Sequence, residues 1–324
     1  MNPGNIAVAS MSFLTVPLFP QNGAPTFSGH ETFALRSNWL KKAYDVLREN
    51  PRLFYNDDAF VQLGVGKNMA QSIRFWGRVC RVFERAETGD GHVITPLGRA
   101  LLDDAGWDPF LVTPASHWLL HWQIAARPMA AFTWFYTFNL LKGGEFTVAQ
   151  LAQQIQSFTE AQSYRVPSDA TIRRDIECML NCYCRPNARQ LNTSAEDLLL
   201  CPLTDLGLVQ QLPGQHMYRL ATGAQPELPD ALVAYAVRQT MCVMRRETIA
   251  FSDLAYAPFS PGRVFRLDAD ALLSRLHALH EVTDGAAYYS EQAGIRQVAW
   301  PDVNDPALDQ ALLAKAFAAE VRYV

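Results

Sequence analysis

The sequence of 324 residues lacks a long apolar run, a dense set of cysteines and an excess of charge of either sign. Its most apolar internal run, residues 129–141, is shorter than the about 20 residues that a membrane-spanning helix needs. The apolar stretch at 6–19 has no preceding basic residue, because the first is Arg36, so a secretory signal is not indicated. Six cysteines in a chain of this size predict free thiols. We expect a cytoplasmic protein with no membrane contact.

The formal net charge of -4 argues against a protein that coats nucleic acid with a general positive field. Any contact with DNA then has to come from a local basic patch.

Several catalytic motifs are also missing. Lys67 is followed by Asn68, where a phosphate loop has Ser or Thr, and the earlier glycine of that motif is absent, so no nucleotide cofactor is expected. His30-Glu31 has no second histidine at the spacing of a zinc protease. No nucleophile and base can be paired from spacing alone.

The N-terminal part has an order of elements that is typical of a DNA-binding unit. Residues 1–26 are proline-rich and predict a tail, and Ser28 and Glu31 have the spacing of a capping box that opens a first helix ending at Asn50. A short helix at 58–63, a glycine turn, a long helix at 67–85 and a hairpin around 89–91 follow. This order predicts a winged helix-turn-helix over 27–106.

The rest of the chain predicts a buried centre and two further units. Residues 107–144 hold two helices that are apolar almost all round, broken at Arg127-Pro128, and these predict a central hairpin. Thr147 and Ser168 open two helices before a hairpin at 208–220, which predicts a second unit over 145–222. A weaker copy spans 223–324. The predicted fold is mainly α with small β-hairpin wings, as repeated winged-helix-like units around the apolar hairpin.

One basic helix carries the functional prediction. On a helical wheel Met69, Ile73, Trp76, Cys80 and Phe83 share the core face. The opposite face holds Lys67, Gln71, Arg74, Arg78, Arg81 and Arg85. Such a face favours a polyanion because like charges repel when no acid separates them. Alternatively, the arginines pair with Asp57, Asp58 or Asp103.

Other residues extend this prediction. The amides that open the helix, with Lys67 and Asn68, are suited to one phosphate of double-stranded DNA. Arg36, Lys41 and Lys42 extend the expected basic patch. Asp57 and Asp58 are candidates for holding Mg²⁺ or Mn²⁺ near the DNA backbone, although capping of the short helix explains them equally well.

Blocks of sequence across the chain resemble the SspB-like family, a former domain-of-unknown-function family of bacterial DNA phosphorothioation gene clusters. The blocks are Phe27-Ser28-Gly29-His30-Glu31-Thr32-Phe33, Gly64-Val65-Gly66-Lys67-Asn68-Met69, Trp118-Leu119-Leu120-His121-Trp122, Pro202-Leu203, Ser260-Pro261-Gly262 and Ala293-Gly294-Ile295-Arg296-Gln297.

The resemblance implies a DNA-binding and DNA-nicking endonuclease of an antiviral defence system that places sulfur in one strand of DNA. It also implies a cysteine desulfurase, an ATPase and a reductase-like sulfur-transfer protein as partners. Val112-Thr113 stand where acidic residues of the family are expected, so the resemblance supplies no catalytic residue or metal ligand. The alternative function is a non-enzymatic winged-helix DNA-binding adaptor or transcription regulator.

Overall fold

The computed structural model of the chain describes residues 24–185, 201–214 and 216–318. Within these residues the fold is mainly helical, with three small antiparallel sheets, as the sequence predicts. Of the tail predicted at 1–26, residues 1–23 lie outside the described part. Thr26 already bonds to the central segment, through its amide to Met129 O and its carbonyl to Phe132 N.

The described N-terminal part, from residue 24 onward, contains four helices and a two-stranded sheet. The helices are α1 (Trp39–Glu49), α2 (Ala59–Gln62), α3 (Lys67–Val79) and α4 (Pro96–Leu102), with a 3-10 turn at Leu53–Tyr55. Strands β1 (Phe83–Arg85) and β2 (His92–Ile94) pair antiparallel between α3 and α4, with Arg85 opposite His92. Thr95 caps α4 by accepting from Gly98 N.

The first helix begins later than the sequence predicts. Ser28, Glu31 and Thr32 have φ of +58°, +49° and +68°, so this segment is a series of turns and the expected capping box is wrong. A carboxylate far along the chain holds the turns, since Ser28 N donates to Asp175 Oδ1 at 2.6 Å. Helix α1 starts only at Trp39.

The basic helix is also shorter than the predicted 67–85, because α3 ends at Val79. Arg81 has a φ of +58°, its amide bonds to Arg78 O, and Val82 N bonds to Gly77 O. This is a Schellman C-cap with arginine in the place that glycine usually takes. The Phe83 ring then folds over Gly77, where an added Cβ would lie 2.1 Å from the ring. Phe83 and Arg85, which the sequence placed on the helix, belong to strand β1.

The central segment is buried, as predicted. Helix α5 (Pro114–Ala125) is followed by α6 (Phe132–Phe135), which continues as a π-helix over Tyr136–Leu140. The Asn139 side chain lies at the centre: its Nδ2 donates to Ala125 O and Phe135 O, and its Oδ1 accepts from Phe259 N at 2.8 Å. This amide links α5, the π-helix and the C-terminal part.

The next part, described except at 186–200 and 215, contains two capped helices and a three-stranded sheet. Helix α7 (Val148–Ala161) begins with a capping box between Thr147 and Gln150, and α8 (Asp169–Tyr183) is capped by Ser168, both at the predicted positions. A 3-10 helix covers Pro202–Leu206. Strands β3 (Glu145–Phe146), β4 (Val209–Gln211) and β5 (Tyr218–Leu220) form a sheet in the order β3-β5-β4.

The C-terminal part contains, up to residue 318, six helices and a three-stranded sheet. The helices are α9 (Asp230–Met244), α10 (Phe251–Tyr256), α11 (Pro261–Val264), α12 (Ala269–His277), α13 (Leu279–Val282) and α14 (Ala307–Ala318). Strands β6 (Thr248–Ala250), β7 (Tyr288–Gln292) and β8 (Ile295–Ala299) pair in the order β6-β8-β7.

Buried apolar residues from every part form one continuous core, which crosses each of the predicted unit boundaries. The boundaries themselves stay a prediction. No helix among the described residues has the length and apolar character to cross a membrane.

Candidate nucleic-acid interface

Helix α3 has one face in the core and one in solvent. Ile73 and Trp76 are fully buried, and the Trp76 indole donates to Phe33 O at 3.0 Å. The polar face matches the prediction over the helix itself: Lys67, Asn68 and Arg78 are exposed, and Gln71 and Arg74 are half-buried.

Arg81 and Arg85 lie beyond the helix, and both are exposed. Arg85 nevertheless lies near the helical arginines. His92, which pairs with Arg85 across the sheet, shows this. Burial and, to a smaller extent, the positive charges of Arg78, Arg74 and Arg85 together lower the pKa of His92 to about 4. Three guanidinium groups thus lie close enough to one imidazole to shift its pKa. Arg85, on β1, therefore belongs to the same basic surface as the helical arginines.

This surface is formed by Lys67, Arg74, Arg78, Arg81 and Arg85, and the exposed carboxylate of Glu84 lies on its edge between the last two. Among the described residues none of the five side chains forms an ion pair. The alternative pairing with acids is not seen: Asp58 accepts from Gln62, and Asp103 accepts from Tyr44 and lies near Arg48. The positive charges of this surface therefore have no ion-pair partner in the described part of the chain.

The three basic residues expected to extend the surface differ. Lys41 Nζ lies 2.6 Å from Asp45 Oδ1 and 2.7 Å from Asp104 Oδ1, so its charge is already compensated. The Arg36 guanidinium lies over the Trp39 ring at 5.3 Å. Lys42 is half-buried on α1.

Asp57 and Asp58 are exposed in the turn before α2. The Asp58 carboxylate accepts from Gln62 Nε2 at 3.0 Å and makes no capping bond. In the part of the chain that the structure describes, no three His, Cys, Asp or Glu side chains come together as a metal-binding group. The two aspartates therefore do not by themselves fit a preformed Mg²⁺ or Mn²⁺ site.

A further arginine belongs to this region and was missed from the sequence, where Arg127-Pro128 indicates only a helix break. Arg127 Nη1 lies 3.4 Å from both Arg78 O and Val79 O, at the end of α3. No local pattern connects the two segments, so only the tertiary structure reveals the contact.

The block at 27–33 positions the basic helix. His30 Nδ1 accepts from Thr32 N, which leaves the proton on Nε2 to be donated to Asp175 Oδ1 at 2.7 Å. The ring packs against Phe75 and Trp76, and both partners of the buried pair are 1% exposed. This pair therefore fixes α3 against α8.

His121, in the block at 118–122, also has a structural role. Its Nδ1 lies 2.7 Å from Tyr183 Oη, its Nε2 lies 2.7 Å from Val264 O, and burial lowers its pKa to about 4. A neutral imidazole with both nitrogens bonded is a core residue that links three segments.

The family described as "Protein of unknown function (DUF4007)" matches residues 27–317. No curated protein matches the chain. Two crystal structures of SspB share the fold with a TM-score of 0.77 and 30% sequence identity. The magnesium-bound one covers 93% of this chain and 98% of its own, and the other covers 94% and 99%. The resemblance to the SspB-like family is confirmed.

Proposed function

Since the chain belongs to the DUF4007 family and shares its fold with SspB, we propose that it is a DNA-binding component of a single-strand phosphorothioation system. The observation that carries the proposal is the basic surface around α3. Five cationic side chains without ion pairs among the described residues, in a protein of net charge -4, concentrate positive potential at one place. Such a local patch is what binding to a phosphate backbone requires.

The position of α3 supports a winged-helix-like mode of binding. It is the second helix after a short turn from α2, and the β1–β2 hairpin follows it directly. In this mode the second helix approaches the groove, while the hairpin approaches the adjacent backbone. Arg74 and Arg78 on the helix and Arg85 on the hairpin then contact the same duplex.

The start of α3 supplies a phosphate contact. Gly66 is the N-cap and offers no side chain, so the first amides of the 13-residue helix are open to solvent beside Lys67 and Asn68. Helix N-terminal amides and a lysine together favour one phosphate.

The proposed reaction is nicking of one DNA strand, which exposes the backbone before sulfur is introduced. One of the two SspB crystal structures holds a magnesium ion, which supports Mg²⁺ or Mn²⁺ as the cofactor. The described residues gather no ligand set, so no catalytic step is assigned to a residue. A cysteine desulfurase, an ATPase and a reductase-like sulfur-transfer protein are the proposed partners.

The test is conversion of supercoiled plasmid to open circles by the purified protein, with Mg²⁺ or Mn²⁺ and with a chelator. We expect metal-dependent open circles that decrease when Arg74 and Arg78 are replaced by alanine. Retarded but uncut plasmid, with and without the partner proteins, would exclude nicking and leave DNA binding.

A second candidate is a non-enzymatic DNA-binding adaptor or transcription regulator with the same surface. The local role of Asp58 favours this second candidate. Asp58 precedes α2 and accepts a hydrogen bond from Gln62 at the end of that helix, a contact that needs no metal. Asp57→Asn with Asp58→Asn tests whether the aspartates take part in nicking: loss of nicking with retained binding supports the nickase, and unchanged behaviour in both assays supports a structural role for the aspartates.

A further inference from the structure

A cavity of about 610 Å³ lies beside the basic surface. Three parts of the chain form it: the end of α3 with β1, the connection after α5, and α9 with Phe259. Its volume is within the range of about 300–1,000 Å³ that small-molecule sites occupy. A cavity of this size between three parts of a packed core is a candidate ligand site.

The charges around the cavity favour an anion. Arg78, Arg81, Arg85 and Arg127 line it, against the single carboxylate of Glu84. Arg127 is half-buried, and the contacts that the structure shows for its guanidinium are the two backbone carbonyls at 3.4 Å. Burial lowers the pKa of Arg127, and the charges of Arg81 and Arg78 lower it further. A half-buried guanidinium among other guanidiniums is stabilised by a bound anion.

The other walls carry hydrogen-bond acceptors and aromatic rings, which a bare phosphate would not contact. Gln123 Nε2 donates to Tyr235 Oη at 3.1 Å, and Gln239 Nε2 donates to Asp309, which leaves the amide oxygens of both glutamines as acceptors. Phe75 and Trp122 add apolar surface. Polar amides, aromatic rings and a cationic edge together suit a planar base with a phosphate attached.

We propose that this cavity binds one deoxynucleoside 5′-phosphate unit, with its phosphate between Arg78, Arg81 and Arg127 and its base on the wall of Gln123 and Tyr235. Because Arg78 and Arg81 also belong to the basic surface, the proposed source of the unit is a nucleotide extruded from bound DNA, the movement by which other DNA enzymes bring a base into a pocket. This source rests on the proposed function. A free mononucleotide has the same chemistry and is distinguished by experiment.

The first arm titrates the full-length protein with each of the four deoxynucleoside 5′-monophosphates, with the nucleosides and with inorganic phosphate. We expect saturable binding of at least one monophosphate, at least about tenfold tighter than either fragment, since each charge-assisted contact contributes on this scale. Arg127→Gln should weaken that binding by about tenfold or more. Binding of inorganic phosphate as tight as that of the nucleotide would overturn the proposal.

Two further variants distinguish a loss of the binding site from a loss of folding. Ala130→Phe fills the cavity, which Ala130 lines, without removing a charge, and it should also abolish nucleotide binding. Arg219→Gln removes an exposed arginine on β5, away from the cavity, and should leave binding unchanged. Thermal unfolding of each variant confirms that the fold is intact.

The second arm uses a duplex in which 2-aminopurine is one base of a mismatched pair, because a mismatched base is extruded most easily. We expect a change in 2-aminopurine fluorescence on binding that Arg127→Gln and Ala130→Phe remove. Ala130→Phe removes no charge, so anisotropy should show that its duplex affinity stays within about threefold of the parent protein.

The two arms separate the proposals. Duplex binding without nucleotide binding or a fluorescence change overturns the cavity proposal and leaves the proposed function. Nucleotide binding without duplex binding overturns the proposed function and assigns the cavity to a free mononucleotide.

Discussion

Helices α3 and α8 occupy similar places in the chain, since each is preceded by another helix and followed by an antiparallel hairpin, but their charges are arranged in opposite ways. The arginines of α3 form no ion pair among the described residues. On α8, Arg173 Nε lies 2.6 Å from Asp169 Oδ2, one turn earlier, and Asp175 is buried against His30. One helix leaves its positive charges without ion pairs among the described residues, and the other uses charge internally.

The difference shows that helices in similar places of the chain can have their charges compensated in different ways. A helix whose positive charges are neutralised by neighbours contributes little potential to solvent, whereas the same charges without neighbours attract a polyanion. The two helices also depend on each other, because the buried pair on α8 holds the segment against which α3 packs. Variants of either helix test this division.

The largest expected effect comes from the buried pair. Asp175→Ala removes the acceptor of both His30 and Ser28 N, and the unsatisfied donors should lower the free energy of unfolding by about 3 kcal/mol. Urea denaturation measures the loss. Asp175→Asn keeps one carbonyl oxygen in place and should lose less than half as much. A fully stable alanine variant would show that the pair is dispensable.

The next effect concerns DNA affinity. Arg74→Ala with Arg78→Ala should weaken duplex binding by about tenfold or more, and should reduce the slope of log K against log salt by about 1.8, which corresponds to two phosphate contacts. Fluorescence anisotropy at several salt concentrations measures both. The matched control is Arg173→Ala with Arg174→Ala on α8, for which we expect little change. Unchanged affinity of the α3 variant at low salt would contradict the proposed interface.

The smallest effect is the response of His92 to pH. Its pKa is near 4 in the folded protein and near 6.5 otherwise, so the unfolded chain binds the additional proton first. The contribution of His92 to stability is therefore complete above pH 6.5 and decreases as the pH falls towards 4. NMR titration of the ring should show a higher pKa in the Arg74→Ala, Arg78→Ala protein. An unchanged pKa would mean that burial alone controls the histidine.

Local sequence signals predicted the parts of the fold that local interactions determine. Thr147 and Ser168 cap the helices that they were expected to cap. The apolar periodicity of α3 also predicted that Ile73 and Trp76 are buried.

The errors arose where distant contacts decide the backbone. The turns at 28–32 depend on Asp175, which is 147 residues away from Ser28, and a capping-box pattern cannot reveal that. The end of α3 was missed because Arg81 takes a left-handed conformation without the glycine that usually signals it. Arg127 was missed as a member of the site because its contact with α3 exists only after the chain folds.

The Asn139 side chain holds two walls of the cavity in place. Its single amide fixes the end of α5 and the amide of Phe259, and Ala126 and Phe259 both line the cavity. Two of the walls are therefore rigid before any ligand arrives, so binding loses little conformational entropy there. Asn139→Ala should therefore show its effect in the entropy of ligand binding measured by calorimetry, with the enthalpy of the arginine contacts largely retained.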